Sequence, residues 1–294
     1  MCIRDRCEEG LLNLARAARR ETGLEHLCMA GGVAHNVVAN SRVLREAGFA
    51  DVFVHPASGD SGGAIGAALY ACHQRSISAR RPRPDYDTCI GPTFSNETIE
   101  QTLEQFGAEY ERMPPADLLA HTARLLKDNF IIGWFQGRME FGPRALGCRS
   151  ILANACDPQM KETLNARVKF REDFRPFAPA VLEEYVQEYF EQPGKSPYML
   201  FCPQVNADKK AIIPAVTHVD GTARVQTVSR HGNPRFYALI EEFRSLTGVP
   251  VVVNTSFNIR GEPIVCSPAD ALKCFYGTDI DFLVIGDFVV RKSF

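Results

Sequence analysis

Residues 129–150 read NFIIGWFQGRMEFGPRALGCRS, and their reading decides how the rest of the chain is organised. An apolar, strand-like run, NFIIGWF, breaks into glycine and proline, and Arg138, Arg144 and Arg149 follow on the turn. No nucleophile stands beside a base here, and no two carboxylates stand close. A guanidinium offers a planar fork of donors that matches phosphate or carboxylate oxygens two at a time. Gly142 and Gly147 would let the backbone approach such a ligand. The turn therefore reads either as an anion site or as a set of solvated surface arginines.

Two further loops share its character. VKFREDFRPFAP, residues 168–179, carries Lys169, Arg171 and Arg175 among phenylalanines. NTSFNIRGEPIV, residues 254–265, leaves an apolar strand with Asn254, Thr255, Ser256, Asn258 and Arg260. Hydroxyls and amides at the carboxyl end of a strand suit phosphates, a magnesium ion or a base edge. Three such loops, each beside an apolar run, favour a polyphosphate site over solvated turns. Phe170, Phe174 and Phe177 are expected to pack in the core.

The remaining pattern is α/β. Residues 8–22 form an amphipathic helix ended by Gly23, after a leader, MCIRDR, that reads as a stray tag. HLCMAGG is a short buried strand entering a glycine turn, AHNVVANSRVLREAG a helix and DVFVHP a strand. DSGGAIGAALYACHQR is a small-residue helix capped by Asp60 or Ser61. SISARRPRPDYDT marks a linker near residues 76–87, poor in apolar residues. Beyond it, helices alternate with strands at AEYERM, NFIIGWF, SILANA, ARVQTVS, VPVVVNTS and DFLVIGDFVVRK. Asp157-Pro158, Asn233-Pro234 and Ser267-Pro268 each announce a capped helix start.

Bulk properties narrow the classes. At 294 residues, 45% hydrophobic and 23% charged, the chain has the composition of a soluble globular protein. A net charge of −2 gives no general pull toward nucleic acid or membrane. No apolar run is long enough to span a bilayer. Ten cysteines without a C-x-x-C spacing read as reduced cytosolic thiols, so the location expected is cytoplasmic. GDSGG, residues 59–63, imitates the segment around a chymotrypsin-like nucleophile, but it runs straight into an alanine-rich helix and too little chain precedes it for that all-β fold.

Read together, the quoted stretches resemble a known family. MAGGVAHNVVANSRVL (29–44) and FVHPASGDSGGAIGAAL (53–69) look like the end of an actin-like ATPase-fold domain. Residues 133–181 and 247–272 look like the C-terminal domain of the O-carbamoyltransferases of antibiotic and nodulation-factor biosynthesis, a domain similar to threonylcarbamoyl-adenylate synthase. The order of the two parts separates this group from the hydrogenase-maturation carbamoyltransferases, in which the synthase-like domain comes first.

The resemblance implies an α/β fold in two parts. Residues 1–78 would be the incomplete C-terminal part of an actin-like carbamoyl-transfer domain, and residues 79–294 a synthase-like domain with a twisted mixed sheet. It implies a fragment of an ATP- and carbamoyl-phosphate-dependent O-carbamoyltransferase that forms carbamoyl-adenylate for transfer to an acceptor hydroxyl. ATP and Mg2+ are the implied cofactors, with Fe2+ belonging to the transfer domain at full length. Arg144, Lys169 and Arg175 would be catalytic. Arg138, Arg149, Arg171, Asn254, Thr255, Ser256, Asn258, Arg260, Gly31 and Gly32 would bind the nucleotide. Asp60 matches the family's aspartate metal ligand, but the histidine pair H-x-x-x-H that supplies the other ligands is absent. Neither nucleic acid nor membrane is an expected partner. An RNA-binding synthase-like module and an inactive nucleotide-binding remnant are the alternative readings.

Overall fold

The computed structural model describes residues 2–75, 87–192 and 194–292. The linker expected at 76–87, and with it the boundary at 78/79, lies outside these residues apart from Asp87.

The first unit opens with α1 (Ile3–Thr22), which starts inside the leader set aside on sequence and is ended by Gly23 in the left-handed conformation. The Cys2 amide donates to Asp5 Oδ2 at 3.3 Å across the first turn. β1 (His26–Met29) then leads through a single 3-10 turn to α2 (Val37–Glu46), whose cap Asn36 accepts from the Ala39 amide. β2 (Asp51–Val54) pairs in parallel with β1, and α3 (Gly62–Arg75) follows. The strand expected to be buried is not: His26 and Cys28 of β1 are exposed, and α3 buries none of its residues. A two-stranded sheet covered by α1 and α2 on one side leaves its other face open.

The second unit is an eight-stranded mixed sheet. Its elements in chain order are α4 (Asn96–Gln105), β3 (Glu109–Arg112), α5 (Pro115–Lys127), β4 (Ile132–Phe135), β5 (Arg149–Asn154), α6 (Met160–Leu164), β6 (Ala178–Leu182), α7 (Val186–Tyr189), β7 (Gln226–Val228), α8 (Pro234–Thr247), β8 (Val251–Ser256), α9 (Pro268–Tyr276), β9 (Phe282–Ile285) and β10 (Phe288–Arg291). The strand order is β3-β10-β9-β4-β5-β8-β6-β7, parallel at β9/β4 and β6/β7 and antiparallel elsewhere.

Alternation along the central strands sorts side chains to two faces. Phe135, Ile151, Val253 and Leu283 meet Leu103, Leu272 and Phe275 of α4 and α9 on one face. Trp134, Leu152, Val252 and Val284 meet Leu126 of α5 and Phe236, Ile240 and Phe243 of α8 on the other. A sheet covered on both faces explains why β4, β5 and β6 are buried along their whole length.

Two proline-marked helix starts fall where expected. Asn233 accepts from the Phe236 amide, and Ser267 shares a capping box with Asp270. The third is displaced: Asp157 accepts from the Gln159 amide in a turn, and α6 begins only at Met160. The terminal run DFLVIGDFVVRK is a hairpin rather than one strand, folded at Gly286-Asp287 with Gly286 at φ 55°.

The units touch. Leu200 and Phe201 pack with Leu12, Val43 and Val54 of the first unit, and the buried Asn40 side chain donates to the Leu200 carbonyl at 3.0 Å. Among the described residues, no helix is long and apolar enough to cross a membrane.

Candidate functional site

Three strand ends converge because of the sheet order. β8 runs antiparallel to both neighbours, so its carboxyl end, Asn254 to Ser256, meets the amino ends of β5 and β6, with Ser150 opposite Ser256 and Ala178 opposite Asn254. The loops entering β5 and β6 are the two arginine loops, so one edge of three adjacent strands receives all three stretches singled out in the sequence.

Two adjoining pockets lie there. The larger, about 300 Å³, is lined by Arg144, Arg171, Arg175 and Arg224 together with Asn254, Thr255 and Ser256. The smaller, about 210 Å³, adds Lys169, Asn258 and Arg260 and shares Arg171, Arg175 and Ser256 with the first. Among the described residues no aspartate or glutamate lines either pocket. Glu172, itself half exposed, pairs with Arg175 at 3.1 Å.

The cations differ in how they are held. Lys169 ends a π-helical turn, Asn165–Lys169, a local irregularity that aims its side chain at the β8 exit. Its Nζ donates to the Ser256 carbonyl at 2.6 Å, the Asn258 carbonyl at 3.0 Å and Asn258 Oδ1 at 2.9 Å. Burial pushes its ammonium down to about 7 while these oxygens hold its proton. Lys169 thus ties the helical turn to the β8 loop and has little reach left for a ligand. Arg171 Nε donates to Asn165 Oδ1 at 2.7 Å and its guanidinium stacks on Phe177 at 4.7 Å. Arg260 donates to the Phe170 carbonyl at 3.2 Å.

Arg144 and Arg224 have no such anchoring. The Nε of each is buried without a hydrogen-bond partner among the described residues. Burial lowers the proton affinity of both, that of Arg224 to about 9, and the positive Arg144 adds to the effect on Arg224. Two partly desolvated arginines facing one cavity that no carboxylate lines among the described residues form a site of positive potential, which an oxyanion would relieve.

Arg224 escaped the sequence reading. Its signal was a charge inside the strand-like run GTARVQTVS, where an inward position requires a partner. Phe170 and Phe174 were expected in the core, but they are 52% and 72% exposed on the loop beside the pockets, and only Phe177 is buried. The pre-strand loop must turn its arginines toward the cavity, and this leaves its first two aromatics outside.

Several expected site residues lie elsewhere. Arg149 is fully buried, donates to the carbonyls of Pro92, Gln136, Gly137 and Cys148, and stacks on Phe135 at 3.5 Å. Arg138 donates to the carbonyls of Ile90 and Gly91. Both clamp residues 90–92 to the turn, outside the pocket linings. Gly31 and Gly32 form an exposed turn of the first unit, Gly31 at φ 101° with its amide on the Ser58 carbonyl. Asp60 is exposed just before α3.

The metals implied by the resemblance find no donor set. Among the described residues no three His, Cys, Asp or Glu side chains come together to hold a metal ion, and the larger pocket offers Mg2+ side-chain oxygens that carry no charge, the hydroxyls of Thr255 and Ser256 and the amide oxygen of Asn254. The described residues therefore do not by themselves assemble a site for a resident Mg2+, and the Fe2+ expectation concerns the transfer domain at full length.

Sequence comparison assigns this arrangement to a class. The family model described as Carbamoyltransferase C-terminus matches residues 123–292, and the one described as Carbamoyltransferase N-terminus matches residues 2–69. The chain belongs to the carbamoyltransferase family. Among its relatives, the Synechocystis protein sll1178 is 45% identical over 97% of this chain and 51% of the relative. Nodulation protein NolNO of Sinorhizobium fredii is 45% identical over 99% of this chain and 43% of the relative. Full-length HypF, crystallised in its phosphate- and nucleotide-bound form, is similar over 63% of this chain and 22% of that one, at 21% identity and a TM-score of 0.39. The chain spans about half the length of the curated relatives it matches.

Proposed function

We propose that the second unit binds carbamoyl phosphate and ATP at the paired pockets and joins them into carbamoyl-adenylate, which the full-length protein transfers to an acceptor hydroxyl. The observation that carries this reading is the pair of half-buried arginines, Arg144 and Arg224, whose buried Nε atoms have no partner and which face a cavity that no carboxylate lines among the described residues. Membership of the carbamoyltransferase family supplies the reaction class.

Atom balance defines the steps. Carbamoyl-adenylate holds one phosphorus atom, so the phosphate of carbamoyl phosphate and the pyrophosphate of ATP must both leave, and one water is consumed. The carbamoyl P–O–C bridge is hydrolysed, a carbamate oxygen attacks the α-phosphorus of ATP, and pyrophosphate departs. Each step brings anions together. Arg144, Arg224, Arg171 and Arg175 lower that repulsion and stabilise charge on the phosphoryl oxygens, in a cavity where charge interactions are stronger than in water. Lys169 keeps the β8 loop in place, so that Thr255 and Ser256 present hydroxyls and Asn254 an amide to the same cavity. The exposed Phe170 and Phe174 offer faces on which an adenine can stack.

The test is calorimetry of the full chain with carbamoyl phosphate and with ATP, together with an assay for pyrophosphate. Heat for both ligands and release of pyrophosphate only when both are present are expected. Absence of heat with either at millimolar concentration defeats the proposal, and ATP binding without pyrophosphate identifies an inactive nucleotide-binding remnant.

A further inference from the structure

Cys89 and Cys148 stand apart from the other cysteines. Their sulfurs are 3.1 Å apart although the residues are separated by 59 positions. Cys148 belongs to the arginine loop, four residues beyond Arg144, and the amides of Leu146, Cys148 and Arg149 all converge on Glu140 Oε1 at 2.7, 2.6 and 3.2 Å. Cys89 sits on the segment that enters the second unit. Backbone bonds join that segment to the same loop: Phe141 to Thr88 at 2.7 Å, Gly91 to Met139 at 2.9 Å and Met139 to Pro92 at 2.9 Å. Arg138 and Arg149 add their side chains from the loop side. Two segments held in register by this many bonds keep the two sulfurs in place.

The pair is reachable. Cys89 is half-buried and lines a separate cavity of about 220 Å³ with Leu146, Ser229, His231 and Asn233. Cys148 is buried and receives a weak hydrogen bond from Asn233 Nδ2 at 3.6 Å. The hydrogen bond from Cys148 holds the Cys89 thiol below its ordinary range, while the same bond and burial push Cys148 well up. The accessible sulfur is therefore the attacking one and the buried sulfur the resolving one.

We propose that Cys89 and Cys148 form an oxidisable dithiol, closed by hydrogen peroxide into a disulfide that locks the entry segment to the arginine loop. Cys89 thiolate attacks one peroxide oxygen; the O–O bond breaks, giving a sulfenic acid, and the departing hydroxide becomes water with the proton that the Cys89 thiol released. Cys148 sulfur then attacks the Cys89 sulfur; the S–O bond breaks, and the departing hydroxide leaves as water with the Cys148 proton. In sum, two thiols and one peroxide give one disulfide and two waters. Closure needs a shift of only about 1 Å, from the observed separation to the roughly 2.05 Å of a disulfide.

The full chain is treated with hydrogen peroxide, its remaining thiols are blocked with N-ethylmaleimide, and the peptides are mapped by mass. A peptide joining Cys89 to Cys148, lighter by two hydrogen atoms and split by dithiothreitol, is expected to form about tenfold faster than any link through the exposed Cys2, Cys28 or Cys72. Hydrogen exchange at residues 88–92 and 144–149 should slow in the oxidised form and recover on reduction. Cys89→Ser should leave Cys148 open to alkylation after unfolding and keep exchange fast with or without peroxide. Failure of the linked peptide to appear in the folded wild-type chain overturns the proposal, as does formation no faster than the exposed-cysteine links. These readouts do not depend on catalysis, so the dithiol can fail while the proposed adenylate chemistry stands, or the reverse.

Discussion

Replacing Arg224 with methionine should stabilise the ligand-free protein and remove much of its response to phosphate ligands. Burial lowers the Arg224 guanidinium well below its ordinary range, to about 9. At about 1.4 kcal/mol per tenfold change in proton affinity, a full shift of that size corresponds to about 5 kcal/mol of penalty on the charged form. Part of the side chain still meets solvent, and Thr255, Ser256 and the cavity can admit water, so about 2 kcal/mol is the figure to carry forward. Arginine keeps its proton at neutral pH, so the penalty is borne by the empty pocket and returned when an oxyanion enters. Methionine conserves the stem packing and removes the charge. In scanning fluorimetry, Arg224→Met should melt about 4–8 °C above wild type without ligand, using about 2–4 °C per kcal/mol for a domain of this size. Its shift with carbamoyl phosphate or inorganic phosphate should fall to a small fraction of the wild-type shift. A lower ligand-free melting point together with an unchanged phosphate shift would refute the reasoning, because Arg224 would then be an anchored structural cation.

Three other outcomes follow from particular contacts. Arg144→Lys should keep the fold but lose at least about tenfold in carbamoyl-phosphate affinity, since an ammonium cannot supply the two-pronged donor; calorimetry measures it. Lys169→Met should alter the pH dependence of stability. The folded ammonium titrates near 7 and the unfolded one near 10.5, so the unfolded chain binds more protons between these values and wild-type stability rises with pH through that window. Urea unfolding at pH 7 and pH 9 should show that rise in wild type and not in the variant. Gly147→Ala should be severely destabilising, by about 3 kcal/mol or more, because Gly147 has φ 103° and a Cβ there would lie 2.2 Å from Phe236 Cδ1; circular dichroism melting measures it.

Much of the second unit was legible in the sequence because its elements announce their own boundaries. Asn233-Pro234 and Ser267-Pro268 start helices where capping chemistry puts them, and the apolar runs of β4, β5 and β8 are strands of a sheet covered on both faces. The hairpin at Gly286-Asp287 was harder to see, since a two-residue turn interrupts an apolar run without shortening it. The open face of β1 and the unburied α3 were not legible, because their small and apolar residues carry the pattern of a buried layer that the described residues do not complete.

The arginines show where sequence reading reaches its limit. Arg138, Arg144 and Arg149 lie within twelve residues on one turn and look alike as sequence. Arg149 is surrounded by carbonyl oxygens from Pro92, Gln136, Gly137 and Cys148, which take up both of its terminal nitrogens and leave only its Nε without a partner among the described residues. Arg138 is satisfied in the same way by Ile90 and Gly91. Arg144 faces Arg171, Arg175 and Arg224 across a cavity and finds no acceptor there. The supply of acceptors, set by which segments the sheet order brings together, separates a guanidinium held by the chain from one left facing a cavity. That supply depends on the entry segment near residue 90 and on a strand end more than a hundred residues downstream of the turn, so no window on the turn contains it. The turn then has a divided role: Arg138 and Arg149 fix its backbone to the entry segment, and this fixed backbone holds Arg144 toward Arg224 despite their mutual repulsion.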